Sequence, residues 1–412
     1  MRRSRAIPFL TAGIATLIAL GSCSEARTAP PASVSAEPAA MPASAPVAPS
    51  APPVQADAAD PAPGASDTAI APVAPPAGEP RRYTIIGTGD IMMGSDWPEP
   101  GFDPRIVPGA DPAVVTGAPL VELFAQADVV FGNYEGTIHG SDEDAKECRN
   151  PEFCFVFRSP PFHADYLRRA GYSLMSNANN HARDFGESGR RATYAALTGA
   201  GIAVAGGDVE GMRIAVQTLD DGRRVGLVAF GHNPGLLSVQ DYARVGAMVR
   251  AAEARADIVI VSCHIGAEGS AYSQVTRATE MFLDEDRGNP YRFAHEAIDA
   301  GADAVFCHGP HIPRAVEVYR GRFIAYSLGN FWTYGRFNLR GDSGLAPIAR
   351  LEVDGDGALL AAQIVSARQE RPGGPVLDPR GEAARRIAFL TARDFPESGT
   401  QVDSAGRISW PH

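Results

Sequence analysis

From residue 83 onward the chain alternates apolar runs of strand length with stretches of helical periodicity, and this alternation limits the fold more than any other feature. The runs are Tyr83 to Gly87, Asp128 to Gly132, Tyr172 to Ser176, Ile202 to Ala205, Val225 to Phe230, Asp257 to Cys263, Ala302 to Cys307 and Arg322 to Tyr326. Between several of them, Ala118 to Ala127, Pro161 to Ala170, Glu187 to Gly199, Val239 to Arg255 and Pro290 to Ala300 repeat their apolar residues at helical spacing. A helix between two strands serves as a crossover, so the strands are expected to pair mainly in parallel within a layered α/β fold. After Tyr326 the runs Leu345 to Val353 and Ala358 to Ala367 flank a turn at Asp354 to Gly357, which predicts antiparallel strands completing a sheet. A body of this length, assigned to residues 81–400, is near the upper end for one domain and buries a large core.

The composition changes ahead of that body. Arg2, Arg3 and Arg5 precede an apolar run from Ala6 to Leu20, too short and too asymmetrically flanked for a membrane span, which fits a signal peptide. The run ends in Leu20-Gly21-Ser22-Cys23, which resembles a bacterial lipobox, so residues 1–23 are read as a signal with Cys23 as the lipidated residue. Residues 24–80 are Ala, Pro and Ser with scattered acids and no aromatic, a composition that cannot bury enough apolar surface to fold. This segment is expected to be a disordered tether. The resulting expectation is an exported lipoprotein held to a membrane by its lipid anchor, periplasmic or, with Ser24 after the cysteine, outer-membrane. Cys148 and Cys154 bracket a short polar loop and are placed to pair in an oxidising compartment. Cys263 and Cys307 each precede a histidine at a strand end, where buried thiols and a disulfide both fit.

A net charge of -11, from 48 acidic and 37 basic residues, excludes a protein that coats nucleic acid, and no nucleic-acid partner is expected. Lysine occurs once, as Lys146, so almost every cation is arginine, a bias that reads as the mark of a GC-rich genome.

Open α/β sheets place ligands at the carboxyl ends of their strands, so the residues that end each run carry the functional information. The first ends in Gly89-Asp90-Ile91-Met92-Met93-Gly94, the second in Gly132-Asn133-Tyr134-Glu135-Gly136-Thr137, and the third in Asn177-Ala178-Asn179-Asn180-His181. Later runs end in Cys263-His264-Ile265-Gly266-Ala267-Glu268 and Cys307-His308-Gly309-Pro310-His311. Any one of these polar residues is ordinary as a turn or cap. Five such groups ending five apolar runs are hard to obtain from independent caps, and they point to a metal or catalytic cluster. Oxygen donors followed by imidazoles suit Mn, Fe or Zn better than calcium. His139, His163, His295 and His412 fall outside the pattern and are read as surface residues, and His232, within Gly231-His232-Asn233-Pro234, is a weaker candidate.

These residues together carry a resemblance. Gly89 to Gly94, Asn133-Tyr134-Glu135, Asn179-Asn180-His181-Ala182 with Asp184 and Gly186, His264 with Glu268, Gly309-Pro310-His311, Val316 to Tyr319 and Tyr326-Ser327-Leu328-Gly329-Asn330-Phe331 resemble, in order, the CapA family. That family comprises bacterial capsule or poly-gamma-glutamate synthesis proteins and is similar in fold to calcineurin-like metallophosphoesterases. The resemblance implies a sandwich of two mixed β-sheets flanked by helices. It also implies divalent metal ions, two in number, held by Asp90, Glu135, Asn180, His264, His308 and His311, with His181 acting on the substrate. Asp184, three residues on, is placed to orient that imidazole or to sit at a helix N-terminus. Two positions depart from the pattern: Met92 stands where phosphoesterases usually carry a histidine, and Gly309 where the family commonly has another.

Two functions follow from this reading. One is a metal-dependent hydrolase of phosphoesterase type, in which the ions polarise a phosphoryl oxygen and His181 protonates the leaving group. The other is a non-catalytic component that binds an anionic polymer through metal ions during capsule assembly, within a polymer-synthesis complex. Arg183, Arg314 and Arg336 lie in loops next to the motifs and are candidates for holding an anionic group.

Overall fold

The computed structural model describes residues 81–98, 106–140, 144–148, 154–335, 337–371 and 374–411. The expected signal, Cys23, the tether, Arg336 and His412 lie outside the described residues.

The alternating runs form two mixed sheets. In one, the strands lie in the order Gln401–Val402, Arg407–Ser409, Leu359–Val365, Ile348–Val353, Tyr83–Met92, Val129–Tyr134, Leu174–Ser176 and Ala203–Ala205. Asn330–Thr333 also pairs with Tyr83–Met92, in parallel. In the other sheet the order is Val316–Tyr319, Arg322–Ala325, Ala304–His308, Ile258–His264, Arg224–Gly231 and Ile214–Thr218, with Leu237–Ser238 beside Arg224–Gly231. Neighbours joined through helices run parallel, as Val129–Tyr134 does to Leu174–Ser176 and Ile258–His264 to Ala304–His308. The turn at Asp354 joins the antiparallel pair Ile348–Val353 and Leu359–Val365, as the sequence predicts. Ile258–His264 is buried at every position, as a strand covered on both faces must be.

Successive strand residues face opposite layers. Ile85, Phe131, Leu227, Ile260 and Phe306 meet in the core between the sheets. Ile86, Val130 and Met175 face outward with Leu120, Tyr166 and Leu197, from the helices that cover the first sheet. Val228, Val261 and Val305 face the opposite side, where Val249 of the helix Tyr242–Glu253 and Phe293 of Pro290–Asp299 cover them. Phe131 stacks on Phe306 across the two sheets with centroids 5.3 Å apart. Gly87 makes room for this contact, since a Cβ there would lie 2.6 Å from the Phe306 ring. The helices start where side chains satisfy free backbone N–H groups: Asp241 accepts from Arg244 N at 3.0 Å and Asn289 from Arg292 N at 2.9 Å, ahead of Pro290. No described helix is long and apolar enough to cross a membrane.

Several boundaries differ from the sequence reading. The first strand continues through Asp90 to Met92, because Asp90 pairs with both Asn330 and Asn133 and so keeps extended neighbours on each side. The body also extends past residue 400, where Arg407–Ser409 pairs with Leu359–Val365, and ahead of it the helix Glu382–Asp394 packs Ile387 into the core between the sheets. His139 and His163 are buried, not surface residues. His163 shares the inward face of its helix with Tyr166 and Leu167, and the His139 ring packs edge-on against Phe185 at 4.6 Å. His295 is half-buried, its ring stacked on Tyr319 and 3.0 Å from Glu317. Both cysteine pairs form disulfides, Cys148 with Cys154 and Cys263 with Cys307, the latter between register partners on adjacent strands.

Candidate metal centre

Ligand-type residues from both sheets converge at the C-terminal ends of their strands. Asp90 lies near the end of Tyr83–Met92, and Glu135 directly follows Val129–Tyr134. His264 and His308 are the last residues of their strands and register partners, so their rings project side by side. His311 follows in a left-handed conformation, φ 58°, that costs energy for a residue with a Cβ.

Asp90, Glu135 and His311 each place a ligand atom within 4.8 Å of the others. His311 Nδ1 is 3.2 Å from Asp90 Oδ2, and its Nε2 is 3.6 Å from Glu135 Oε1. His308 Nδ1 lies 3.1 Å from Asp90 Oδ1, and His264 Nε2 lies 3.8 Å from Glu135 Oε1. Asn180 lines the same cavity, of about 810 Å³, with its Oδ1 buried.

Charge in this cluster is unbalanced. Burial, opposed by His311 and reinforced by Asp90, pushes the Glu135 carboxyl well above its usual range. Burial also works to raise Asp90, yet the imidazoles of His308 and His311 beside it hold that carboxyl well below the usual carboxylate range. Burial depresses His264, whereas His311 is held well above the ordinary imidazole value because Glu135 and Asp90 outweigh its burial. An imidazole raised by two neighbouring carboxylates marks a place that favours positive charge.

Among the described residues, Glu135 Oε1, Asn180 Oδ1, both ring nitrogens of His264 and Nε2 of His308 are buried without a hydrogen-bond partner. Each such atom costs about 1–3 kcal/mol when left unsatisfied, so their concentration at one point needs a reason. Asp90, Glu135 and His311 come close enough to share an ion, with His264 and His308 beside them, and such carboxylate and imidazole ligands fit divalent cations of the Mn, Fe or Zn type.

A second group lies beside the first. His181 Nδ1 is 2.8 Å from Asp184 Oδ2, which directs the Nε2 edge of the ring away from that carboxylate. Asp184 precedes the helix Gly186–Gly199 and does not occupy its first turn. It accepts from Phe157 N at 2.7 Å and pairs with Lys146 Nζ at 2.5 Å. His181, Lys146, Glu135 and His311 all line the one cavity.

A family model for bacterial capsule synthesis protein PGA_cap matches residues 84–334. The chain belongs to the PGA_cap family. It is 27% identical over 279 residues to "Capsule biosynthesis protein CapA" of Bacillus anthracis, covering 64% of this chain and 62% of that protein. It is 32% identical over 303 residues to "Probable polyglutamine synthesis accessory protein Rv0574c" of Mycobacterium tuberculosis (strain ATCC 25618 / H37Rv), covering 62% of this chain and 75% of that one. A solved 5'-nucleotidase precursor from Thermus thermophilus aligns with 72% of this chain and 54% of its own, at 14% identity and a TM-score of 0.37.

The PGA_cap match spans every residue of the cluster, and the two departures from the expected pattern have structural causes. Met92 is buried and pairs in register with Thr333, so it packs as part of the sheet. Gly309 has a φ of 112°, and a Cβ there would meet Ile265 backbone atoms at 3.2 Å, which favours a residue without a side chain.

Several neighbours of the site were not singled out from the sequence. Asn133 donates to Asp90 Oδ1 at 2.8 Å and accepts from Asn179 at 3.1 Å, and Asn330 Oδ1 lies 3.0 Å from His311 Nδ1. Both asparagines lie within the family motifs, which was the available signal. Arg314, expected in an anion-binding loop, is fully buried and paired with Glu280 at 2.9 Å, where it fixes the loop after His264 through Ala267 O at 3.0 Å. Arg183 is exposed near Pro234 O. His232 packs 5.9 Å from the His264 ring, and its Nε2 is 3.8 Å from Glu285.

Proposed function

We propose that this PGA_cap protein is an exported, lipid-anchored envelope protein with a metal-dependent hydrolase site of phosphoesterase type, acting in capsule or poly-gamma-glutamate synthesis. The observation that carries the reading is the set of buried, unpartnered donors around Asp90, Glu135 and His311, next to the oriented His181–Asp184 pair. Asp90, Glu135, Asn180, His264, His308 and His311 would hold two divalent ions. When bound, such ions supply Lewis acidity and neutralise an anionic substrate. The protein's own part is proton transfer. Asp184 fixes the His181 ring through Nδ1, which leaves Nε2 as the atom that gives a proton to the leaving oxygen. The substrate is read as an anionic polymer or a phosphoester, and the capsule- and polyglutamine-synthesis names of the relatives support the polymer. Partners would be that polymer, the membrane and a synthesis complex.

One observation supports a second reading, metal-dependent binding of the polymer without turnover. Met92, buried where a histidine would stand, would leave an ion on the Asp90 side of the cluster a poorer shell. Elemental analysis of the purified chain, run with a screen of phosphoester and peptide substrates, tests both. Bound Mn, Fe or Zn with turnover supports the hydrolase; metal with polymer binding and no turnover supports the binder; a metal-free chain defeats both.

A further inference from the structure

Lys146, the one lysine of the chain, stands at the metal-centre cavity instead of on the outer surface. Its backbone N–H donates to Asp184 O at 2.7 Å, and its Nζ is 2.5 Å from Asp184 Oδ1. Cys148, two residues further on, is disulfide-bonded to Cys154. An ammonium carries three donors, and a single ion pair engages one of them. The side chain remains 31% exposed and lines the cavity, whereas its partner Asp184 is fully buried.

Among the described lysine and arginine residues lining this cavity, the other is Arg287. Its side chain is 6% exposed and already clamped between Glu268 at 2.8 Å and Glu285 at 3.0 Å, so it has little to offer a ligand. Arg314 is consumed by Glu280, as described above. Among the described residues, Lys146 is therefore the cation placed to meet an anion entering the site.

We propose that Lys146 binds a carboxylate or phosphate of the substrate, remote from the metal ligands, and so selects polyanionic chains over neutral ones. The proposal rests on reading the cavity as the substrate site. Phe157 shapes the same wall: its N–H holds Asp184, and its ring lies 4.5 Å from the His181 ring, so an anion held at Nζ would lie beside the His181–Asp184 pair.

The test is calorimetric binding of two probes, inorganic phosphate and an oligo-gamma-glutamate, to the metal-loaded full chain and to Lys146→Met and Lys146→Arg. The methionine variant should bind one or both probes about tenfold more weakly and the arginine variant within about threefold of wild type, the loss of a charge-assisted contact being of that order. The probe whose binding responds identifies the anion. Reductive methylation followed by peptide mass spectrometry gives a second readout on the unmutated chain, in which saturating probe should slow Lys146 modification several-fold. Equal affinity in Lys146→Met, no binding of either probe by wild type, or unprotected methylation would each overturn the proposal. Because binding is read without turnover, a chain that binds through Lys146 but hydrolyses nothing would sink only the hydrolase reading. Turnover with unaltered probe binding in Lys146→Met would sink only the role of Lys146.

Discussion

Glu135 Oε1 and His311 Nε2 lie 3.6 Å apart although Glu135 extends a strand of one sheet and His311 follows a strand of the other. The cluster therefore spans the seam between the sheets, and its geometry depends on the core that joins them.

That dependence makes the Phe131–Phe306 stack a stability element. Removing a ring of this size from a packed core costs about 3–5 kcal/mol. Phe306→Ala should lower the thermal melting temperature by many degrees, read by circular dichroism. A melting curve that coincides with wild type would mean the two sheets are held together elsewhere.

The carboxylate that faces both sheets should matter more for metal than the one that faces His181. Glu135→Ala is expected to lower bound metal well below that of Asp184→Ala, measured by elemental analysis after identical loading. Equal metal in the two variants would place the ions elsewhere.

Burial depresses His163 to about 3. The unfolded chain protonates this imidazole near its ordinary value of 6.5, while the folded chain resists until far lower pH. Stability from this group is thus complete above pH 6.5 and is lost as the pH falls toward 3, by about 1.4 kcal/mol per unit of difference. His163→Leu should flatten the fall in denaturant midpoint between pH 7 and pH 4 relative to wild type. Parallel curves for the two proteins would contradict the assignment.

Cys23 tests the export reading, which concerns residues outside the described structure. Cells fed a fatty-acid analogue should label the wild type and not Cys23→Ser, and the variant should leave the membrane fraction. A Cys23→Ser chain that stays equally membrane-bound would remove the lipid anchor from the account.

The central strands were readable in the sequence because burial on both faces makes them continuous apolar runs, as in Ile258–His264. Edge elements were harder: Ile214–Thr218 is mostly half-exposed and lacks such a run. The helix Glu382–Asp394 is marked in the sequence only by Ile387 and Leu390 on its inner face. Asp90, Glu135, His264, His308 and His311 were visible as strand-end residues because parallel topology collects those ends in one place. The Lys146–Asp184 pair was not visible, since nothing in the local pattern around residue 146 indicates a contact 38 residues away. His163 could have been placed correctly, because Tyr166 and Leu167 at helical spacing share its face.

The most direct test of the hydrolase reading is His181→Ala in the metal-loaded chain, assayed on an activated phosphodiester with metal content measured on the same samples. His181 lies outside the ligand set and is held by Asp184 at 2.8 Å, so the variant should keep its metal while the rate falls by about 10² to 10⁴-fold, the usual worth of general acid catalysis. A variant that keeps both its metal and its full rate, or a wild type with no turnover above metal in buffer, would contradict it.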